Sequence, residues 1–317
     1  MAHYDAQDLQ LDLCPAKLKP LFKINSLKHA MGILLNWSII LLAAYFGSIY
    51  LNPLTYLLAI LVIGARMHAL AILMHDAAHF RFLKNRKWND LLTDVTTMYP
   101  LFLTIEKYRT NHLEHHKHLN TEEDPDWVSK LPKKEFQFPK TKWEFILGVL
   151  SYFLLIQGIK DAIWFVTRFN VLGNQQKKVT PKKANPIPQL LFYGILIAVL
   201  TAFTLWKSFL LFWVIPYFST FLMFQYIRSV AEHFGELEYD HLLRSTRTVK
   251  TNFLERFLIA PHNVGYHIEH HLYPGVPYYN LPKLHELLME TSTFKENAHL
   301  TQGYPVSYTH LTLPTKA

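Results

Sequence analysis

Apolar residues run almost without interruption over about 31–51, 53–74, 145–166, 190–206 and 209–228, and polar stretches separate these runs. About 20 consecutive apolar residues carry an α-helix across a bilayer, so the runs predict membrane helices. Asn52-Pro53 makes a tight corner between the first two runs, and Lys207-Ser208 makes one between the last two. Each of these pairs therefore predicts a helical hairpin. The middle run differs, because it contains Lys160 and Asp161 and is followed by Lys177, Lys178, Lys182 and Lys183. It reads as an interfacial or protein-buried helix.

Composition refines this picture. Half of the residues are hydrophobic, yet the mean hydropathy is only +0.06, so a substantial polar part must accompany the membrane helices. Residues 1–30 form a polar arm carrying Lys17, Lys19, Lys23 and Lys28, with no cleavable signal core. Residues 31–304 form one membrane domain. A lone cysteine, Cys14, leaves neither an intrachain disulfide nor a thiolate zinc or iron–sulfur site. The final segment, 305–317, reads as the translation of a sequencing-library adapter fused to an incomplete gene, which removes His310 from the candidate ligands.

The chemistry is concentrated in three histidine clusters: His75-Asp-Ala-Ala-His79, His112-Leu-Glu-His115-His116 and His267-Ile-Glu-His270-His271. Residues three and four apart share a helix face, so each cluster aims two or three imidazoles at one point. Neutral imidazole binds iron, zinc and copper. Eight such rings exceed the needs of one ion and point to two metals. Asp76, Glu114 and Glu269 lie inside the clusters and are candidates to orient the rings through their second nitrogen. His262, five residues before His267, is a candidate for the same role together with Asn263. His68 shares the helix face of His75, and like Arg66 it needs a partner or a cavity within the span. His118, His241, His285 and His299 read as surface positions.

All three clusters must lie on one side of the membrane to meet. Two hairpins with a non-spanning middle helix satisfy this, giving four spans and both termini on the cytoplasmic side with the basic segments. The net charge of +8 fits that bias. Dispersed among hydrophobic spans and without a recognition motif, it argues against nucleic-acid binding.

The order and spacing of these boxes resemble the membrane fatty-acid desaturase family, which includes related hydroxylases and carotenoid oxygenases. The likeness runs from about Leu58 to Leu288. It is carried by the first cluster, by Tyr108-Arg109-Thr110-Asn111-His112-Leu113-Glu114-His115-His116 with Asp124-Pro125-Asp126 after it, and by Asn263-Val264-Gly265-Tyr266-His267-Ile268-Glu269-His270-His271-Leu272-Tyr273-Pro274. The resemblance implies an all-α integral membrane fold, with four transmembrane helices in two hairpins and a cytoplasmic helical cap carrying the boxes. It implies two irons held by the eight box histidines and by His233 in Ser229-Val230-Ala231-Glu232-His233. Ser229 stands where some acyl desaturases have an asparagine thought to act through water.

The expected activity is therefore O₂-dependent desaturation of a lipid acyl chain. No haem, flavin or ferredoxin signature is present in the sequence, so electrons are expected from a separate ferredoxin or cytochrome b5-type donor. A hydroxylase or ketolase of a fatty acid, carotenoid or other hydrophobic substrate uses the same boxes and stays open as an alternative. A histidine-rich metal transporter or scaffold is a more distant one, since transporter ligands belong near the midplane and not at span ends.

Overall fold

The computed structural model describes residues 11, 13–171, 185–239 and 241–304, with backbone alone for 164–171. The expectations for residues 1–10, for the lysines between 177 and 183 and for segment 305–317 lie outside the described residues. The protein is mostly helical.

Ser26–Ile49 (α1) and Pro53–Ala78 (α2) form the first hairpin. Asn25 caps α1 by accepting the Lys28 N–H at 3.1 Å. Asn52 caps α2 by accepting from Leu54 and Thr55, each at 3.1 Å, while Thr55 Oγ1 accepts the Asn52 N–H. Pro53 sits in the first helical turn, where its missing N–H does no harm. The two helices have different surroundings. In its most apolar stretch α1 is 28% buried, whereas α2 is 78% buried and forms the central pillar.

A polar segment follows, with helices Arg86–Thr93 (α3), Ile105–Lys117 (α4) and Pro125–Lys130 (α5). The expected helix over 145–166 is two helices, Lys142–Phe153 (α6) and Ile156–Val171 (α7), bent by 72°. Leu155, with φ 67°, turns the chain between them. Next come Ile187–Ala202 (α8) and the continuous helix Trp206–His233 (α9).

Among the described residues, three helices, α1, α2 and α9, are each long and apolar enough to cross a membrane, and the bent pair α6–α7 passes the same test as one broken span. At 16 residues α8 is shorter than a full span. The expected corner at Lys207-Ser208 lies instead at 203–205, where Thr204 takes a positive φ of 54°. Hydropathy cannot mark this turn, because no proline or glycine accompanies it. As a result α9 starts at Trp206 and ends on His233, and so delivers that imidazole from its final turn.

Pro216 lies within α9 and lacks an N–H for the helical ladder; π-type turns over Leu210–Val214 and Tyr217–Phe221 flank it. Helices α2 and α9 cross closely. A Cβ on Gly64 would stand 2.1 Å from Thr220 Oγ1, and that hydroxyl donates to Ile60 O at 2.6 Å. Gly158 permits a similar approach of α7 to the Phe218 carbonyl.

The remainder covers the ends of α2 and α9: Thr248–Lys250 (β1), Phe253–Leu258 (α10), His267–Leu272 (α11), Leu281–Leu288 (α12), Ser292–Asn297 (α13) and Leu300–Gln302 (β2). The strands pair in parallel, Thr248 with Leu300 and Lys250 with Gln302, a small departure from the all-α expectation. Ile268 and Leu272 of α11 pack with Leu284, Leu288 and Phe294, fixing the third histidine cluster to the cap.

Candidate metal centre

Each histidine cluster occupies the end of a helix that the packing holds firmly. His75 lies in the last turn of α2 and His79 follows as its C-cap. Helix α4 presents His112, His115 and His116, α9 ends on His233, and α11 carries His267, His270 and His271. Arg109 ties α4 to α2 by donating to Ala78 O at 2.8 Å and to both carboxylate oxygens of Asp90.

The nine imidazoles converge in two adjoining groups. In the first, one ring nitrogen from each of His75, His79, His112, His116 and His270 lies within 4.8 Å of the others. His79 Nε2 is 2.9 Å from His112 Nε2, and His116 Nε2 is 3.0 Å from both His112 Nε2 and His270 Nε2. In the second group, His115, His233 and His271 meet, and His267 joins through Nε2 atoms 2.6 Å from His233 and 3.1 Å from His271. The His116 and His271 rings, 4.4 Å apart, link the groups.

This geometry suits metal binding. Two nitrogens held at about 2.1 Å and about 90° on one ion stand about 3.0 Å apart, against about 3.4 Å at a tetrahedral angle. The Nε2 separations of 2.6 to 3.1 Å are close enough for neighbouring rings to share an ion, and imidazole accepts iron, zinc and copper alike. Six of the rings are also kept neutral, as ligation requires. Burial first, and neighbouring imidazoles next, push His112, His116, His267 and His270 well below their ordinary value. Burial, with His115 and His79 close by, lowers His271 too. Burial, followed by Arg81 and Arg109, pushes His79 down to about 3.

The carboxylates behind the rings differ from those expected. His115 Nδ1 pairs with Asp124 Oδ2 at 2.8 Å, and His267 Nδ1 faces Glu232 Oε2 at 3.4 Å. Such contacts on Nδ1 leave Nε2 free to face the centre. Glu232 is itself held by Arg228, whose Nε is 2.8 Å from Oε2. Glu232 also stands close enough to His233 and His267 to serve as a donor itself.

The expected partners act elsewhere. Glu114 faces outward beside His118 at 3.5 Å. Glu269 is buried, but accepts from Thr248 Oγ1 and pairs with His285 Nδ1, both at 2.5 Å. That makes His285 a buried residue and not a surface one. Asp76 Oδ1 accepts the Tyr278 N–H at 3.0 Å, and its Oδ2 lies 3.4 Å from His29 Nδ1, so it ties the cap to α1. His262 meets Asn36 Nδ2 at 2.9 Å, and Asn263 donates to Tyr278 O, both from a turn with positive φ. Ser229 Oγ accepts from Lys130 Nζ at 2.9 Å. His68 meets the Ile259 carbonyl at 3.0 Å, and Arg66 donates to Asn36 and lies over Phe257.

A cavity of about 390 Å³ opens beside the second group and reaches His75 and His112. Tyr108 lies on its wall and stacks on the His112 ring at 5.2 Å. The fold thus combines apolar helices able to cross a membrane with a buried, nitrogen-rich group of side chains that could hold metal, beside a cavity.

The family model described as fatty acid desaturase matches residues 51–303. The chain is 32% identical over 246 residues to the dihydrorhizobitoxine desaturase of Bradyrhizobium elkanii, covering 74% of this chain and 68% of that protein. It is 24% identical over 288 residues to the sn-1 oleoyl-lipid 12-desaturase of Anabaena variabilis, covering 88% and 81%. It is also 24% identical over 296 residues to the chloroplastic omega-6 fatty acid desaturase of Arabidopsis thaliana, covering 88% and 63%. The chain belongs to the fatty acid desaturase family and is an oxidoreductase.

Proposed function

We propose that the nine imidazoles hold two iron ions and that the protein removes two hydrogens from adjacent carbons of an amphiphilic, acyl-bearing substrate. The observation that carries this reading is the meeting of nine rings from four remote segments, with the Nε2 atoms of seven of them within 3.1 Å of a neighbour's. Iron with O₂ supplies the oxidant for an unactivated C–H bond, which side chains lack. The balance is two C–H bonds lost, one carbon–carbon double bond gained, and O₂ reduced to two waters. Two of the four electrons come from the substrate and two from a separate ferredoxin or cytochrome b5-type donor.

The chain's own residues bind, orient and exclude water. Asp124 and Glu232 hold His115 and His267 by Nδ1. Tyr108 closes one flank of the cluster against His75 and His112. In this reading α8 completes a fourth, short span, and the bent pair α6–α7 lies at the interface. The boxes face the cytoplasm together with Lys84, Arg86, Lys87, Lys130, Lys133 and Lys134. The relatives' names divide between oleoyl-lipid and dihydrorhizobitoxine, so family membership leaves the substrate to the cavity.

The test is expression in a desaturase-deficient host with mass spectrometry of lipid and polar extracts. A product two hydrogens lighter, absent from the His270→Ala variant, is expected. A product one oxygen heavier would replace this reading with hydroxylation.

A further inference from the structure

The cavity beside the imidazoles is lined by charge. Along one face of α9, His233, Ser229 and Gln225 follow at helical spacing, with Leu222 and Phe221 beyond. Opposite Ser229, Lys130 Nζ lies 2.6 Å from Asp126 Oδ2. Further along, Lys133 Nζ lies 2.9 Å from Asp161 Oδ1, and Tyr152 OH donates to the other oxygen of Asp161 at 3.1 Å. These four residues line the cavity together with the Arg228–Glu232 pair, and each of the four side chains keeps between 20% and 35% of its exposure. They are therefore partly solvated ion pairs on a binding surface.

Methylenes laid against these groups would strip their water and return no hydrogen bond, which is costly for a charge. A molecule carrying both a cation and an anion would replace that water at each pair. The distance to the metal centre is short. Ser229 precedes His233 by one helical turn, about 6 Å, and Tyr226, which packs on Tyr152 at 5.1 Å, precedes it by about 10 Å. An extended carbon chain advances about 1.3 Å per bond. The offset along α9 between these pairs and His233 thus corresponds to about five to eight bonds.

We infer that the substrate is a compact amphiphile with a dipolar head, bound by the Lys130–Asp126 and Lys133–Asp161 pairs. The head's anion meets the lysines and its cation meets the aspartates. Its hydrocarbon arm runs back along α9 toward the imidazoles, and desaturation falls near the head. This inference rests on the desaturase reading for the reaction, but the binding preference stands apart from it.

The experiment uses the full chain, iron-loaded, in lipid-free detergent micelles. Thermal shift and equilibrium binding are measured with 2-aminooctanoate, octanoate, octylamine, oleate and dioleoylphosphatidylcholine. The expected result is 2-aminooctanoate binding at least about tenfold more tightly than either singly charged probe, with Lys133→Met and Asp161→Asn each removing the advantage. Both variants should retain the wild-type iron content, and each variant's ligand-induced shift is read against its own unliganded unfolding midpoint. Tighter binding of oleate, or of octanoate alone, would overturn the inference. Preference for dioleoylphosphatidylcholine would overturn it in favour of a lipid headgroup, and an unchanged preference in both variants would also overturn it. Should 2-aminooctanoate bind as expected while no extract yields a product two hydrogens lighter, the reaction fails and the binding site stands.

Discussion

The two groups of imidazoles are built differently although they share helices. His75, His79, His112, His116 and His270 approach one another with no carboxylate among the grouped donors. His115, His233, His267 and His271 have Asp124 and Glu232 close behind, and Arg228 holds Glu232 in turn. The first group gains its rigidity from three helix ends locked together, partly through Arg109. The second is oriented by charge. A carboxylate on Nδ1 raises the basicity of the opposite nitrogen and fixes the ring. Two ions held this way would differ in affinity and in their response to substitution.

Removing a ring from either group should have the largest effect. His270→Ala is expected to strip the ion of the first group and His115→Ala that of the second, each reducing turnover to background. Metal analysis of the two variants should find complementary losses, and loss of both ions from each would merge the groups into one cooperative unit. Asp124→Asn should act on the second group alone, weakening metal affinity or turnover by about 10- to 100-fold. Titration with Fe²⁺ would resolve one weakened and one unaffected site; two equally weakened sites would remove the asymmetry.

Glu269→Gln should leave both sites filled but destabilise the cap by about 3 kcal/mol, because it disturbs a buried pair with His285. Thermal unfolding with metal analysis separates these outcomes. The metal-free protein should also lose stability as the pH falls from about 6.5 toward 3, read as a falling unfolding midpoint. His79 and its lowered neighbours bind protons readily only when unfolded, so acid favours the unfolded chain. Glu114→Gln should change least, within about 0.5 kcal/mol, since its contact with His118 is partly exposed.

The histidine clusters were legible because helical spacing needs no tertiary knowledge. The acids behind them were not, for a geometric reason. Glu114 and Glu269 adjoin ligand positions in sequence, yet a helix turns neighbouring residues by about 100°, away from the shared face. Asp124 reaches His115 from a loop nine residues on, and Glu232 reaches His267 from another helix. The Asp124-Pro125-Asp126 segment was visible as part of the family pattern, but nothing local assigned its partner. The first hairpin was legible from apolar length and the Asn52-Pro53 corner, whereas the break at Leu155 and the turn at Thr204 depend on backbone conformations that hydropathy does not encode.

Metal content of the purified wild-type chain, measured beside His270→Ala and His115→Ala, tests the central claim most directly. Two irons per chain in the wild type and about one in each variant is the predicted result. A wild type carrying one ion or none under iron-replete expression, or variants that both retain two, would contradict it.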